Sequence, residues 1–94
     1  MFNWNLDTFN IGDDIITSLY GKKLILKNIH LYDGPITMQF LPFGGIQSVF
    51  NYNLIINTKQ GFIVPDYIIY DDNEYKVSDF VKKYTNLVNL VLPN

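Results

Sequence analysis

The residues that could do chemistry are few, and none stands in a recognised catalytic pattern. His30 is the only histidine and lies in an apolar run typical of a strand. Because the chain has no cysteine, a metal would need His30 together with carboxylates, and no such spacing occurs. The three serines lie outside any Gly-x-Ser-x-Gly elbow. We therefore expect no catalytic, cofactor or metal site, and a structural or surface role for His30.

An acidic run and a glycine pair are the next candidate sites. Asp71-Asp72-Asn73-Glu74 gathers oxygen ligands of the kind that Ca²⁺ prefers, but Tyr75 stands where an EF-hand loop needs another ligand, and the loop glycine is missing. Gly44-Gly45 is not followed by the Lys and Ser/Thr of a phosphate-binding loop. Both segments are more typical of turns.

The charge of the chain argues against nucleic acid as a partner. Charged residues make up 17%, the net charge is −2 and arginine is absent, whereas nucleic-acid-binding domains usually carry a basic stripe with bidentate arginines. The clusters Lys22-Lys23-Lys27 and Lys82-Lys83 have aromatic neighbours and could contact a single strand. Solvated lysines are the simpler interpretation, and we expect no nucleic acid partner.

Alternation and turn signals predict the elements of the first half. Apolar residues at every second position predict a strand over 2–7. The spacing over 13–21 fits a short helix capped by Asp13, although its β-branched residues also suit a strand. Residues 23–32 and 36–40 flank an Asp-Gly-Pro turn, and we expect them to form a hairpin.

The second half contains more predicted strands and one helix. In chain order we expect a strand over 50–56, a turn over 58–61, a strand over 62–64 with Pro65 at an edge or bend, a hairpin of 67–70 with 75–77, a helix that Ser78 caps and that reaches Val88, and a last strand or frayed end over 90–92. The sequence thus predicts one domain over 1–94, mainly β, folded as a small β-sandwich or barrel with one or two short helices. The alternative is an α+β fold.

The chain has more large apolar side chains than a small core needs. Alanine is absent and fifteen residues are Phe, Tyr or Trp, so we expect some of them on the surface, where an apolar patch usually marks a protein contact. Phe2 and Trp4 stand near one end of the chain, and Phe43 and Ile46 flank the glycine pair. We predict these four as contact residues, with the alternative that both segments fold onto the chain's own core.

The N-terminal residues lack the basic and apolar regions of a signal peptide, and the apolar runs are too short to span a bilayer. In composition, size and β content the chain resembles small accessory virion proteins of tailed phages with A/T-rich genomes, such as those that decorate or cement a capsid. The resemblance implies a location in the virion or in the cytoplasm of the host cell, with no membrane contact.

The predicted function is therefore a non-enzymatic structural protein that works as a subunit of a larger assembly. The resemblance implies capsid decoration, with other protein subunits as partners, the major capsid protein or copies of the chain itself among them. The alternative is a small carbohydrate- or ligand-binding module, in which the Tyr70 to Tyr75 hairpin would offer aromatic rings to a sugar.

Overall fold

A computed structural model describes residues 1–36 and 41–94. Within these ranges the chain forms eight strands and one helix: β1 (Ile15–Leu19), β2 (Lys22–Lys27), β3 (His30–Leu31), β4 (Ile46–Ser48), β5 (Ile55–Thr58), β6 (Gly61–Val64), β7 (Tyr67–Tyr70), β8 (Asn73–Lys76) and α1 (Val77–Lys83). The strands make two antiparallel sheets, sheet A in the order β1-β2-β7-β8 and sheet B in the order β3-β6-β5-β4. The fold is mainly β, as the sequence predicts.

Two long antiparallel arms join the sheets. β2 and β3 lie on one arm, and β6 and β7 lie on the other. β2 pairs with β7 in sheet A and β3 pairs with β6 in sheet B, with no shift of register between the two pairs. The ladder is interrupted between the sheets because Pro65 has no N–H to donate and Asn28 is left-handed, with φ of 57°. The arms therefore pass from sheet A into sheet B at this point, and the prediction that Pro65 lies at a bend is confirmed.

The inner faces of the two sheets share one core. Alternation places every second side chain of a strand inside, as in β1, where Ile15, Thr17 and Leu19 are buried. The core is filled mostly by large aliphatic side chains, including the fully buried Leu24, Leu26, Ile29, Ile46, Leu54, Ile56, Ile63 and Ile68. Both sheets therefore pack on one apolar core.

The helix predicted over 13–21 is wrong, because this segment forms β1 and a turn. Tyr20 (φ 52°) and Gly21 (φ 75°) are both left-handed, which makes the two-residue turn of a tight β1–β2 hairpin. The helix-like spacing of apolar residues arose because β1 is apolar on both faces, with Ile15 buried and Ile16 exposed.

The strand predicted over 2–7 is also wrong, because side-chain hydrogen bonds fold this segment into a turn. The Asn3 Oδ1 accepts hydrogen bonds from the backbone N–H groups of Asn5 (3.0 Å) and Leu6 (3.2 Å). The Asn3 N–H in turn donates to the Asp7 carboxylate at 2.7 Å. These local bonds outcompete the extended conformation that alternation predicts.

Predictions in the middle of the chain were right in part. The strand predicted over 23–32 is divided into β2 and β3, and its hairpin partner falls largely on residues 37–40, outside the described residues. The strand predicted over 50–56 begins only at Ile55, because Asn51 and Tyr52 are left-handed. The 58–61 turn is confirmed, with Thr58 and Gly61 paired at the end of the β5–β6 hairpin.

In the last third of the chain, the structure agrees more closely with the elements predicted from the sequence. The predicted strand over 62–64 is confirmed within β6, and β7 and β8 form the predicted hairpin, although its turn has two residues rather than four. The predicted helix is confirmed but shorter: α1 starts at Val77 and ends at Lys83, and Lys76, not Ser78, occupies the N-cap position. Residues 90–92 form a single bridge, between Val91 and Gly45.

Candidate protein interface

Trp4 lies in the core, which corrects its prediction as a contact residue. Its side chain is 1% exposed and its Nε1–H donates to the Pro93 carbonyl at 3.1 Å. Its backbone N–H donates to the Asn94 Oδ1 at 2.7 Å. Phe2 is partly buried against it, with the ring centroids 4.9 Å apart. Phe2, Trp4, Pro93 and Asn94 thus form a terminal clasp that joins the two ends of the described chain.

Ile46 is likewise buried, so its side chain offers no surface to a partner. It is drawn inward because the C-terminal segment pairs beside it: the Ile46 N–H donates to the Leu90 carbonyl at 2.7 Å, and the Asn89 N–H donates to the Ile46 carbonyl at 2.9 Å. Phe43 keeps 40% of its surface exposed. Of the four predicted contact residues, Phe43 is therefore the most accessible.

A row of isoleucines lies on the solvent side of sheet A. Register pairs Ile16 with Ile25, and Ile25 with Ile69. Directly paired residues of antiparallel strands point to the same side of a sheet. Ile16 is 44% exposed, and Ile25 and Ile69 are half-buried by their neighbours. We call these three residues the isoleucine row.

Charged and aromatic side chains border the isoleucine row. Glu74 continues the row onto β8, because it pairs with Ile69. The next outward-facing level holds Lys27, Tyr67 and Lys76, which follow one another across β2, β7 and β8. We use "outer face" for the isoleucine row together with its border, whose members are Asp14, Lys23, Lys27, Tyr67, Glu74 and Lys76.

Asp14 fixes one corner of the outer face. Its Oδ1 accepts a hydrogen bond from the Asn28 N–H at 3.0 Å, and its Oδ2 lies 3.0 Å from the Lys27 Nζ. The Asn28 N–H, followed by the Lys27 ammonium, lowers the pKa of the Asp14 carboxyl below its usual value. Asp14 therefore keeps its negative charge at the edge of the outer face to a lower pH than an ordinary aspartate does.

Aliphatic pairs in the sequence carried a signal for the isoleucine row. Ile15-Ile16, Leu24-Ile25-Leu26 and Ile68-Ile69 place large apolar residues on both faces of their strands. A strand of a half-solvated antiparallel sheet normally alternates apolar with polar. The doubled pattern predicts a second apolar face, but only the register places the outward-facing isoleucines next to one another.

His30 has a partner, the Asp66 carboxylate. Its Nε2 lies 3.0 Å from the Asp66 Oδ2, and the Asn28 amide donates to the same carboxylate oxygen. The Asp66 N–H donates to the Lys27 carbonyl at 2.9 Å. This cluster holds together the two arms where they pass between the sheets, which fits the structural role predicted for His30.

The aromatic rings near α1 pack against one another rather than forming an open platform. Tyr70 is 4% exposed and its hydroxyl donates to the Leu19 carbonyl at 2.9 Å. Tyr75 and Tyr84 meet edge to face, with centroids 6.2 Å apart. The Tyr84 hydroxyl, and then the Lys83 ammonium 3.3 Å away, lower the pKa of Tyr75. Tyr70 is therefore buried, and Tyr75 and Tyr84 are half-buried.

Two small clefts lie elsewhere on the surface. One of about 230 Å³ separates the β1–β2 turn from residues 90–93, and another of about 240 Å³ is lined by Pro35, Ile36 and residues 48–50. Ligand pockets usually enclose about 300–1,000 Å³, so both clefts are smaller than a usual ligand pocket.

In residues 1–36 and 41–94 no three His, Asp or Glu side chains gather as metal ligands. The described part of the chain contains no helix long and apolar enough to cross a membrane.

Comparison with protein-family models, curated proteins and solved structures gave no match.

Proposed function

We propose that the chain is a non-enzymatic structural protein that works as a subunit of a larger protein assembly, and that it assembles through the outer face. The isoleucine row is the observation that carries the proposal. Solvent-facing positions of an antiparallel sheet are normally polar, and burying apolar surface is favourable by about 25 cal/mol per Å². A row of isoleucines across three strands is therefore a surface suited to being covered by protein.

The border of the outer face supports the same proposal. Protein interfaces commonly have an apolar centre with a polar rim. Here Ile25 lies in the centre, while Asp14, Lys27 and Lys76 stand around it. Charges of both signs in the border give such a surface specificity for its partner, because a mismatched partner would place like charges together.

The assembly that we propose is a virion. This part of the proposal rests on the resemblance of composition, size and β content to accessory virion proteins of tailed phages. The major capsid protein would then be among the partners. The ligand-binding alternative has less support, since Tyr70 of the proposed sugar-binding hairpin is buried and the two clefts described above are small.

The proposal is tested by following the chain in extract from the cells or particles that contain it, using size-exclusion chromatography and immunoblotting. We expect elution at a mass far above the 10.9 kDa of the chain. Ile25→Lys, which places a charge in the centre of the row, should move the chain to the free fraction. Leu31→Lys, at an exposed apolar position of sheet B, is the matched control and should not.

Circular dichroism shows whether both variants keep the fold. Elution of the wild-type chain as a free monomer, or equal behaviour of the two variants, would contradict the proposal.

A further inference from the structure

We propose that the occupant of the outer face is a second copy of this chain. The two copies pack face to face about a two-fold axis that runs parallel to the strands, between β2 and β7. This inference rests on the proposed function, because it names the partner at the surface through which the subunit assembles. The outer face is complementary to itself at each level of the strand register.

A two-fold axis in this position places β2 of one copy over β7 of the other, and β1 over β8. At the level of the isoleucine row, Ile25 then lies over Ile69 of the second copy, and symmetry repeats the contact. Ile16 lies over Glu74 of the second copy, where it can pack on the aliphatic part of that side chain. The centre of the interface is therefore apolar.

The border level supplies opposite charges to the same arrangement. Asp14 comes to lie over Lys76 of the second copy, and Lys27 over the ring of Tyr67 of the second copy. The first contact is an ion pair and the second a cation–π contact. Asp14 is well suited to its part, because the Asn28 N–H and Lys27 already hold it in place.

A two-fold axis that runs along the isoleucine row is less favourable for the charges on β2. An axis along the isoleucine row would reverse the levels and place Lys23 of one copy over Lys27 of the other. Like charges opposed in an interface cost several kcal/mol. The strand-parallel axis avoids this contact, since it keeps each level opposite itself.

Sheets that pack face to face lie about 10 Å apart. A standard interface buries roughly 800 Å² per partner, and an outer face of four short strands offers less area than that. We therefore expect a dimer whose population depends on protein concentration. Sedimentation velocity from about 5 µM to 1 mM should show the mass rising from 10.9 kDa towards twice that value. A chain that stays monomeric over this range overturns the inference.

The absence of cysteine makes the orientation directly testable. Ile16→Cys and Glu74→Cys are prepared separately, then treated with a short bismaleimide alone and as a mixture. We expect covalent dimers only from the mixture, because β1 lies over β8 while identical positions are separated by about 14 Å across three strands. Dimers that form from each variant alone and not preferentially from the mixture contradict the proposed axis.

Charge variants provide the matched control. Lys76→Glu places two acidic groups opposite each other at Asp14, so the dissociation constant should rise on the order of tenfold. Adding Asp14→Asn, which keeps the acceptor for the Asn28 N–H, should recover part of this loss. Lys59→Glu makes the same change of charge in the β5–β6 turn and should leave dimerisation as it is; an equal effect of Lys59→Glu and Lys76→Glu counts against the inference.

Failure of this inference and failure of the proposed function give different results. If the purified chain is monomeric, yet Ile25→Lys releases it from a large particle, the subunit role stands and the second copy is excluded. If the purified chain dimerises as expected but elutes from extract as a free dimer, the self-pairing stands and the larger assembly does not.

Discussion

Trp4 is the residue whose surroundings differ most from what its type and position suggest. A large aromatic near a chain end is often a contact residue, but here the indole is buried and hydrogen-bonded within the chain. Gly44 makes room for it, since a Cβ on that glycine would lie 2.7 Å from the Trp4 Cδ1. Trp4 therefore acts on stability rather than on recognition.

Trp4→Phe should lower the free energy of unfolding by about 1–3 kcal/mol, because it removes the bond to the Pro93 carbonyl and leaves a void. Trp4→Ala should cost about 3–5 kcal/mol. Urea denaturation followed by circular dichroism measures both. Phe50→Leu, at a position that is 49% exposed, should change the same quantity by less than about 0.5 kcal/mol.

Asp14 gives stability a dependence on pH. Its pKa in the folded chain lies below the unfolded value of 3.8, so its contribution is complete above that value and is lost as the pH falls through the folded pKa. Asp14→Asn should therefore lower the free energy of unfolding at pH 7, by less than about 1 kcal/mol because the group is exposed to solvent. The difference from wild type should shrink towards zero at acidic pH, once the carboxyl is protonated in the folded chain as well.

The comparison for Asp14→Asn is Asp33→Asn, which removes an exposed carboxylate from the loop after β3. Urea unfolding at pH 7 and at acidic pH gives the two differences. An Asp33→Asn variant with the same pattern as Asp14→Asn would show that general charge, rather than the Asn28 and Lys27 contacts, sets the effect.

Among the elements, the β7–β8 hairpin contains a turn that its sequence does not favour. Asp71 (φ 51°) and Asp72 (φ 65°) are both left-handed, a conformation that aspartate tolerates and glycine adopts freely. Asp72→Gly should therefore raise the free energy of unfolding by roughly 0.5 kcal/mol, and Asp72→Ala should lower it. Thermal denaturation of the pair is the measurement, and the same sign of change for both would count against the conformational explanation.

Local signals were enough for the elements whose turns carry most of the information. The β5–β6 turn, the pairing of β7 with β8 and the presence of α1 were predicted from turn residues and apolar spacing, although the β7–β8 turn is shorter and α1 ends earlier than predicted. The helix predicted over 13–21 was wrong because a strand with two apolar faces has a spacing of apolar residues similar to that of a helix. The strand predicted over 2–7 was wrong because the Asn3 side chain closes a turn. The contact predictions for Trp4 and Ile46 were wrong for a different reason. Burial of these two residues depends on pairing with residues 89–94, which no local pattern reveals.

At the scale of the whole molecule, the two ends of the chain cover strand edges. The Phe2 N–H donates to the Ile16 carbonyl at 2.8 Å on the free side of β1. Residues 90–92 pair with Gly44 and Ile46 beside β4. Exposed edges invite pairing with other chains, and these contacts cover part of the β1 and β4 edges.

Deleting residues 91–94 should destabilise the chain strongly, by about 3 kcal/mol or more. Trp4 loses both of its hydrogen-bond partners, Gly44 and Gly45 lose their pairing with residues 91–92, and the buried Leu92 is removed. Hydrogen exchange should show the loss first at the Trp4 backbone amide, whose acceptor is the Asn94 side chain. The control is replacement of 91–94 by four alanines, which restores backbone pairing but not the Asn94 side chain and should recover part of the stability. Equal stability of the full and shortened chains would exclude this role for the clasp.

The terminal clasp also has a use in protein engineering. Trp4 and Asn94 are in hydrogen-bond contact, so a short peptide linker could join the two ends of the described chain. New ends could then be opened in the Lys59–Gln60 turn of sheet B, away from the outer face. Such a circular permutant would carry a fused label or enzyme on sheet B and leave the isoleucine row free.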